Sequence, residues 1–67
     1  MLFKISFGVY AKVNGQVDYL NRLREEEVEI ECQDQSELFG KAQEFGNQHE
    51  PENEYWKPLL GTIILVH

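Results

Sequence analysis

The chain has 67 residues, and 6 Lys and Arg stand against 12 Asp and Glu, a net charge of −6. A chain of this length excludes a second domain and buries only about 60% of its unfolded surface, so self-association or a partner is the expected support. Its one cysteine excludes an internal disulfide, and the acidic balance disfavours direct binding to nucleic-acid phosphate or to an anionic membrane.

Residues 3–13 alternate, with Phe3, Ile5, Phe7, Val9, Ala11 and Val13 on one parity and Lys4, Ser6, Gly8, Tyr10 and Lys12 on the other. This is the period-2 pattern of a strand with one buried face. Asn14-Gly15 follows, a strong hairpin signal because both residues tolerate positive φ. A two-residue turn would set Val13 opposite Gln16 and carry Asp18 and Arg22 onto the apolar face. Setting Val13 opposite Val17, Ala11 opposite Tyr19 and Phe7 opposite Leu23 buries more apolar surface, since a one-residue slip exchanges the faces. The expectation is therefore a three-residue turn with a bulge.

From Val17 to Leu23 the apolar residues are odd-numbered, and from Val28 to Cys32 they are even-numbered. A bulge within Arg24–Glu27 would reconcile the two halves. A rival reading makes residues 18–26 a short helix, with Leu20 and Leu23 on one side. Beyond it Val28, Ile30 and Cys32 alternate with Glu27, Glu29 and Glu31, a half-buried strand.

Asp34-Gln35-Ser36-Glu37 gives a capping residue with Glu three positions later, a helix start. The helix is expected over 35–48, with Leu38, Ala42 and Phe45, and Phe39 beside them, as its inner stripe. Gly40 weakens it, and Gly46 or Asn47 is expected to end it through a left-handed cap. His49 to Glu54 reads as a solvated loop. Leu59 to Val66 is apolar on both parities, the mark of a central strand or one covered on both sides. The expected fold is α+β in the order β-β-α-β: a largely antiparallel three-stranded sheet with one helix packed on one face.

The N-terminal segment lacks the basic flank and unbroken apolar run of a signal peptide. The C-terminal apolar run is too short to span a bilayer of about 30 Å as a helix. Together these predict a cytoplasmic protein.

No Gly-rich phosphate loop, no Ser/His/Asp set and no metal-ligand spacing stands out, so neither an enzyme nor a cofactor is expected. Cys32 falls on the apolar parity of its strand and reads as a core residue, since no His is near it in sequence. His49, Glu50, Glu52 and Glu54 could hold a hard cation weakly, but they lack the spacing and turn glycine of a calcium loop. Tyr10, Tyr19, Tyr55 and Trp56 could stack on bases, but acidic surroundings favour packing instead.

The run Glu29-Ile30-Glu31-Cys32-Gln33-Asp34-Gln35-Ser36-Glu37, followed by Lys41-Ala42, resembles the strand–turn–helix phrase of small bacterial and phage-encoded domains, anti-CRISPR-type inhibitors among them. The resemblance covers residues 29–42, implies the strand-to-helix turn there, and carries over no functional residue.

Two functional expectations follow. The first is a non-enzymatic module that forms a homodimer or binds a protein through Leu60, Ile64 and Val66 of the apolar strand, with Tyr55 and Trp56 beside them. A strip with more apolar faces than one helix can cover marks an interface. The alternative is an acidic inhibitor of phage type. It would present Glu25, Glu27, Glu29, Glu31, Glu52 and Glu54 to the basic, nucleic-acid-binding surface of another protein, the strand glutamates recurring at about 6.6 Å.

Overall fold

The computed structural model describes residues 1–49 and 52–67, without the His49 side chain. Its elements are β1 (Leu2–Val13), β2 (Gln16–Glu31), α1 (Gln35–His49) and β3 (Glu54–Leu65). All strand pairs are antiparallel and the sheet order is β2-β1-β3, so the fold is α+β with the expected β-β-α-β order.

β1 is the central strand, which corrects the expectation drawn from the apolar run of β3. Its odd residues Phe3, Ile5, Phe7 and Val9 are buried and form the floor of the core. Ile30 from β2, Cys32, Leu38 and Ala42 from α1, and Trp56 from β3 complete it. The rings of Phe7, Phe45 and Trp56 meet at centroid distances of 5.6, 5.7 and 6.4 Å. Each large side chain so buried contributes roughly 1.5–3 kcal/mol, which makes this row the main stabiliser of a small fold.

The hairpin differs from the expected register. Asn14 and Gly15 take φ of 54° and 78° in a two-residue turn, and Val13 pairs with Gln16. Two positive φ values give the turn whose twist matches that of the flanking strands, which outweighs the apolar burial a slipped register would gain. The expected change of parity does not occur: even-numbered residues of β2 face the core side both at Asp18, opposite Ala11, and from Arg24, opposite Val9, onward. The ladder jumps from Ala11↔Asp18 to Tyr10↔Arg22, leaving Tyr19, Leu20 and Asn21 bulged out, and again at Leu23 before Val9↔Arg24. The bulge thus lies upstream of Arg24–Glu27, and residues 18–26 are strand, not helix. Val13, Tyr19 and Leu23, expected to be buried, are exposed.

α1 starts where the capping signal placed it. Asp34 Oδ1 accepts hydrogen bonds from the amides of Ser36 at 3.0 Å and Glu37 at 3.3 Å, satisfying free N–H groups of the first turn. The helix continues through Gly46, which is buried and does not cap it. A Cβ there would lie 3.2 Å from the Trp56 carbonyl oxygen, so glycine at this position permits the close approach of helix and sheet. α1 packs mainly over β3 and covers one face of the sheet only.

β3 is interrupted. Its pairing with β1 jumps from Ser6↔Leu59 to Lys4↔Ile64, so residues 60–63 stand opposite Ile5 alone. Thr62 repairs the gap: its hydroxyl accepts the Ser6 amide at 2.9 Å and donates to the Leu59 carbonyl at 2.6 Å.

Candidate interaction surfaces

The register fixes which side chains occupy the face of the sheet that α1 leaves open, because directly paired residues project to the same side. On β1 these are Lys4, Ser6, Gly8, Tyr10 and Lys12. On β2 they are Arg22, Glu25, Glu27, Glu29 and Glu31. On β3 they are Tyr55, Lys57, Leu59 and Ile64. Four of the chain's six cations and four of its twelve carboxylates therefore share this face, so it is balanced and the acidic excess lies elsewhere.

The balance is uneven along the strands. Lys12, Arg22 and Lys57 gather toward the hairpin end, and Glu27, Glu29 and Glu31 toward the other. At the hairpin end Tyr19 is turned by its bulge onto the sheet. Its ring lies 5.5 Å from that of Tyr10 and 6.2 Å from that of Tyr55. The Arg22 guanidinium lies 5.5 Å from the centroid of Tyr10, and the Lys57 ammonium 6.0 Å from that of Tyr19. Gly8 makes room for Arg22, since a Cβ there would approach its Nη2 to 2.8 Å. The even parity of β1 made half of this cluster legible. The placement of Tyr19 beside it depends on the bulge, which no local signal announced. The next bulged residue, Leu20, is 99% exposed.

The acidic ribbon is thus a row beside cations. Glu25 pairs with Arg22 and Glu27 with Lys4, both at 3.7 Å, and Glu31 with the Met1 amino nitrogen at 3.3 Å. Glu29 makes no ion pair among the described residues. Exposed pairs of this kind contribute little, about 0–1 kcal/mol. Glu52 is exposed in the turn before β3.

Glu54 is separate from the ribbon. It lies on the helix side, where it takes both Arg24 nitrogens, at 2.8 and 3.0 Å, and the Trp56 indole N–H at 3.2 Å. Arg24 also donates to Glu26 at 2.8 Å and covers the Trp56 ring at 5.9 Å. The hydrogen bonds from Arg24 hold the Glu54 carboxyl below the usual carboxylate range, and the Ser36 hydroxyl does the same for Asp34. Arg24 is held still more firmly in its charged form.

Of the aromatic pair expected at an interface, Trp56 is a core residue, 7% exposed, and Tyr55 belongs to the tyrosine cluster. β3 is an edge strand, and its bulge exposes residues of both parities. Leu60, Ile64 and Leu65 are 51%, 58% and 53% exposed, while Val66 is half-buried. Phe39, also exposed, stands seven residues before Gly46 and so shares the flank of α1 that faces β3. Sequence reasoning placed Phe39 with the inner stripe of α1, from which its exposure removes it, and did not choose Leu65 over its neighbours of the other parity.

A shallow groove of about 410 Å³ runs between β2 and α1, lined by Glu29, Ile30, Glu31, Lys41, Glu44, Phe45 and Gln48. Among the described residues no three His, Cys, Asp or Glu side chains are placed to hold a metal ion, and the segment His49–Glu54, expected to be a solvated loop, lies partly outside them. Among the described residues no helix is long and apolar enough to cross a membrane. Comparison with protein-family models, with curated proteins and with solved structures finds no match.

Proposed function

We propose that the chain is a non-enzymatic protein-interaction module whose contact surface is the outer edge of β3. The observation that carries this reading is the exposure of Leu60, Ile64 and Leu65 on an edge strand, within a run, Leu59 to Val66, that has no ionisable side chain in a chain of net charge −6. An uncharged apolar strip on an otherwise charged surface fits a protein partner.

The edge favours contact through side chains over strand addition. The amides of Leu2, Ser6 and Lys12 on β1 point toward β3. By the alternation of an antiparallel ladder, Pro58, paired with Phe7, then turns its nitrogen to the outer edge, where it offers no donor. The bulge over 60–63 breaks the edge again, and both features discourage pairing with a further strand.

The test is paired capture from native lysate with immobilised wild type and the Leu60→Ser/Leu65→Ser variant. A partner retained by wild type, lost by the variant and indifferent to Glu27→Lys supports the reading. Identical capture by both overturns it. The acidic-inhibitor reading draws on the exposed row Glu25, Glu27, Glu29 and Glu31. It is weakened by the cations beside that row and by the engagement of Glu54 with Arg24. A partner lost on Glu27→Lys/Glu29→Lys and kept on Leu60→Ser/Leu65→Ser would favour it.

A further inference from the structure

The open face of the sheet has a pattern that the edge of β3 does not explain. It is charge-balanced within a strongly acidic chain, it is polarised from one end to the other, and its middle is lined by the small residues Ser6 and Gly8.

We propose that this face is covered by a second copy of the chain, packed face to face about a two-fold axis that crosses the strands between Ser6 and Gly8. The proposal shares Ile64 with the preceding reading but concerns the face and not the edge, and the Leu60→Ser/Leu65→Ser variant tells the two apart.

The register allows the fit to be followed row by row. Such an axis keeps each strand over its counterpart and reverses its direction. It carries the level of Tyr10 onto the level of Lys4. On β2, Arg22 shares a level with Tyr10 and Glu29 with Lys4, so Arg22 comes over Glu29 of the second copy. On β1, Tyr10, with Tyr19 lying against it, comes over Lys4, and Gly8 over Ser6, where two small residues allow the roughly 10 Å approach of stacked sheets. On β3, Tyr55 comes over Ile64. Each contact occurs twice.

Two groups on this face have most to gain. Glu29 is the one glutamate of the row without an ion pair among the described residues, and Ile64 is 58% exposed. The reversed copy supplies a guanidinium to the first and an aromatic ring to the second. Two contacts near the axis are unfavourable: Glu25 over Glu27, each of which already has its own cation at 3.7 Å, and Lys57 over Leu59, where the ammonium keeps the Tyr19 ring at 6.0 Å.

The footprint is sufficient for a weak dimer. The molecule measures 39 × 18 × 15 Å, and a face of that length and about three strands in width offers roughly 600 Å² per copy. The total, about 1,200 Å², is at the lower bound for specific interfaces. With charged rows to desolvate, the expected dissociation constant is of micromolar order, rising with salt.

The test is sedimentation equilibrium on the full chain, at low and high salt, for wild type, Arg22→Glu, Glu29→Arg and the double variant. Arg22→Glu and Glu29→Arg should each weaken self-association at least about tenfold by setting like charges together. The double variant should recover it. An equimolar mixture of the single variants should form a heterodimer, because each then meets its opposite. Glu29 is exposed, so Glu29→Arg alone keeps the test intact if Arg22→Glu perturbs the fold. A wild type that stays monomeric to millimolar concentration overturns the proposal. So does association that ignores both reversals, or that is lost on Leu60→Ser/Leu65→Ser alone.

Discussion

Arg24 and Glu54 join the two outer strands of the sheet across its central one. The bidentate contact, at 2.8 and 3.0 Å, ties β2 to β3 over the Trp56 ring. It explains why a strongly charged pair occurs on the covered face of the sheet. Arg24 is flat enough to stack on the indole, and Glu54 accepts from both the guanidinium and the indole N–H.

The pair should give the fold an acid-sensitive component. The Glu54 carboxyl is lowered in the folded chain, and so is that of Asp34. A lowered group stabilises the fold above its unfolded pKa, about 4 for a carboxylate, and that contribution disappears as pH falls through the folded value. Glu54→Gln should therefore lower Tm by a few degrees at pH 7, and the difference between the two proteins should shrink as pH falls below the ordinary carboxylate range. Thermal melts by circular dichroism across pH measure this. A difference that persists unchanged in acid would exclude the linkage.

Two glycines of α1 should respond oppositely. Gly40 has open space where a Cβ would stand, so Gly40→Ala should stabilise by up to about 1 kcal/mol through helix propensity alone. In a chain of this size that raises Tm by roughly 4–8 °C. Gly46→Ala adds the same propensity but presses on the Trp56 backbone, so it should yield no gain or a loss. Equal gains at both positions would mean that α1 is not held so close to β3.

Thr62 should matter for its hydroxyl and not for its shape. Thr62→Val keeps the volume but leaves the Ser6 amide without its acceptor, at a cost of about 1–3 kcal/mol. Thr62→Ser should stay near wild type. Urea denaturation of the three proteins separates these outcomes, and a stable Thr62→Val protein would show that another group takes the amide.

Phe7 sits under α1 and touches both Phe45 and Trp56. Phe7→Ala should cost about 3–5 kcal/mol, comparable with the whole stability of so short a chain. The variant should be largely unfolded at 25 °C, seen as lost dispersion in its proton NMR spectrum.

Much of the architecture was legible before any coordinates. The alternation of β1 from Phe3 to Val9, the position of the turn at Asn14-Gly15, though not its register, the Asp34 cap and the stripe Leu38, Ala42, Phe45 are local patterns with local causes, and each appears where it was expected. The acidic row Glu25 to Glu31 was legible as a row, but not the cations placed beside it. Of the residues expected at an interface, Leu60 and Ile64 are exposed, Val66 is half-buried, and Trp56 is in the core.

The sequence by itself determined the elements, their order and the buried parity of the central strand, because backbone propensity, turn geometry and two-residue periodicity act over a few residues. Tertiary structure decided the rest. The bulge at residues 60–63 changes which parity of β3 faces the core, the bulge at Tyr19–Asn21 swings Tyr19 onto the open face, and a bulge costs little locally while its benefit depends on the whole sheet. The central place of β1 depends on pairing between distant residues. So do the tyrosine cluster, the Arg24–Glu54 tie and the neutral open face, all of which assemble from strands far apart in the chain.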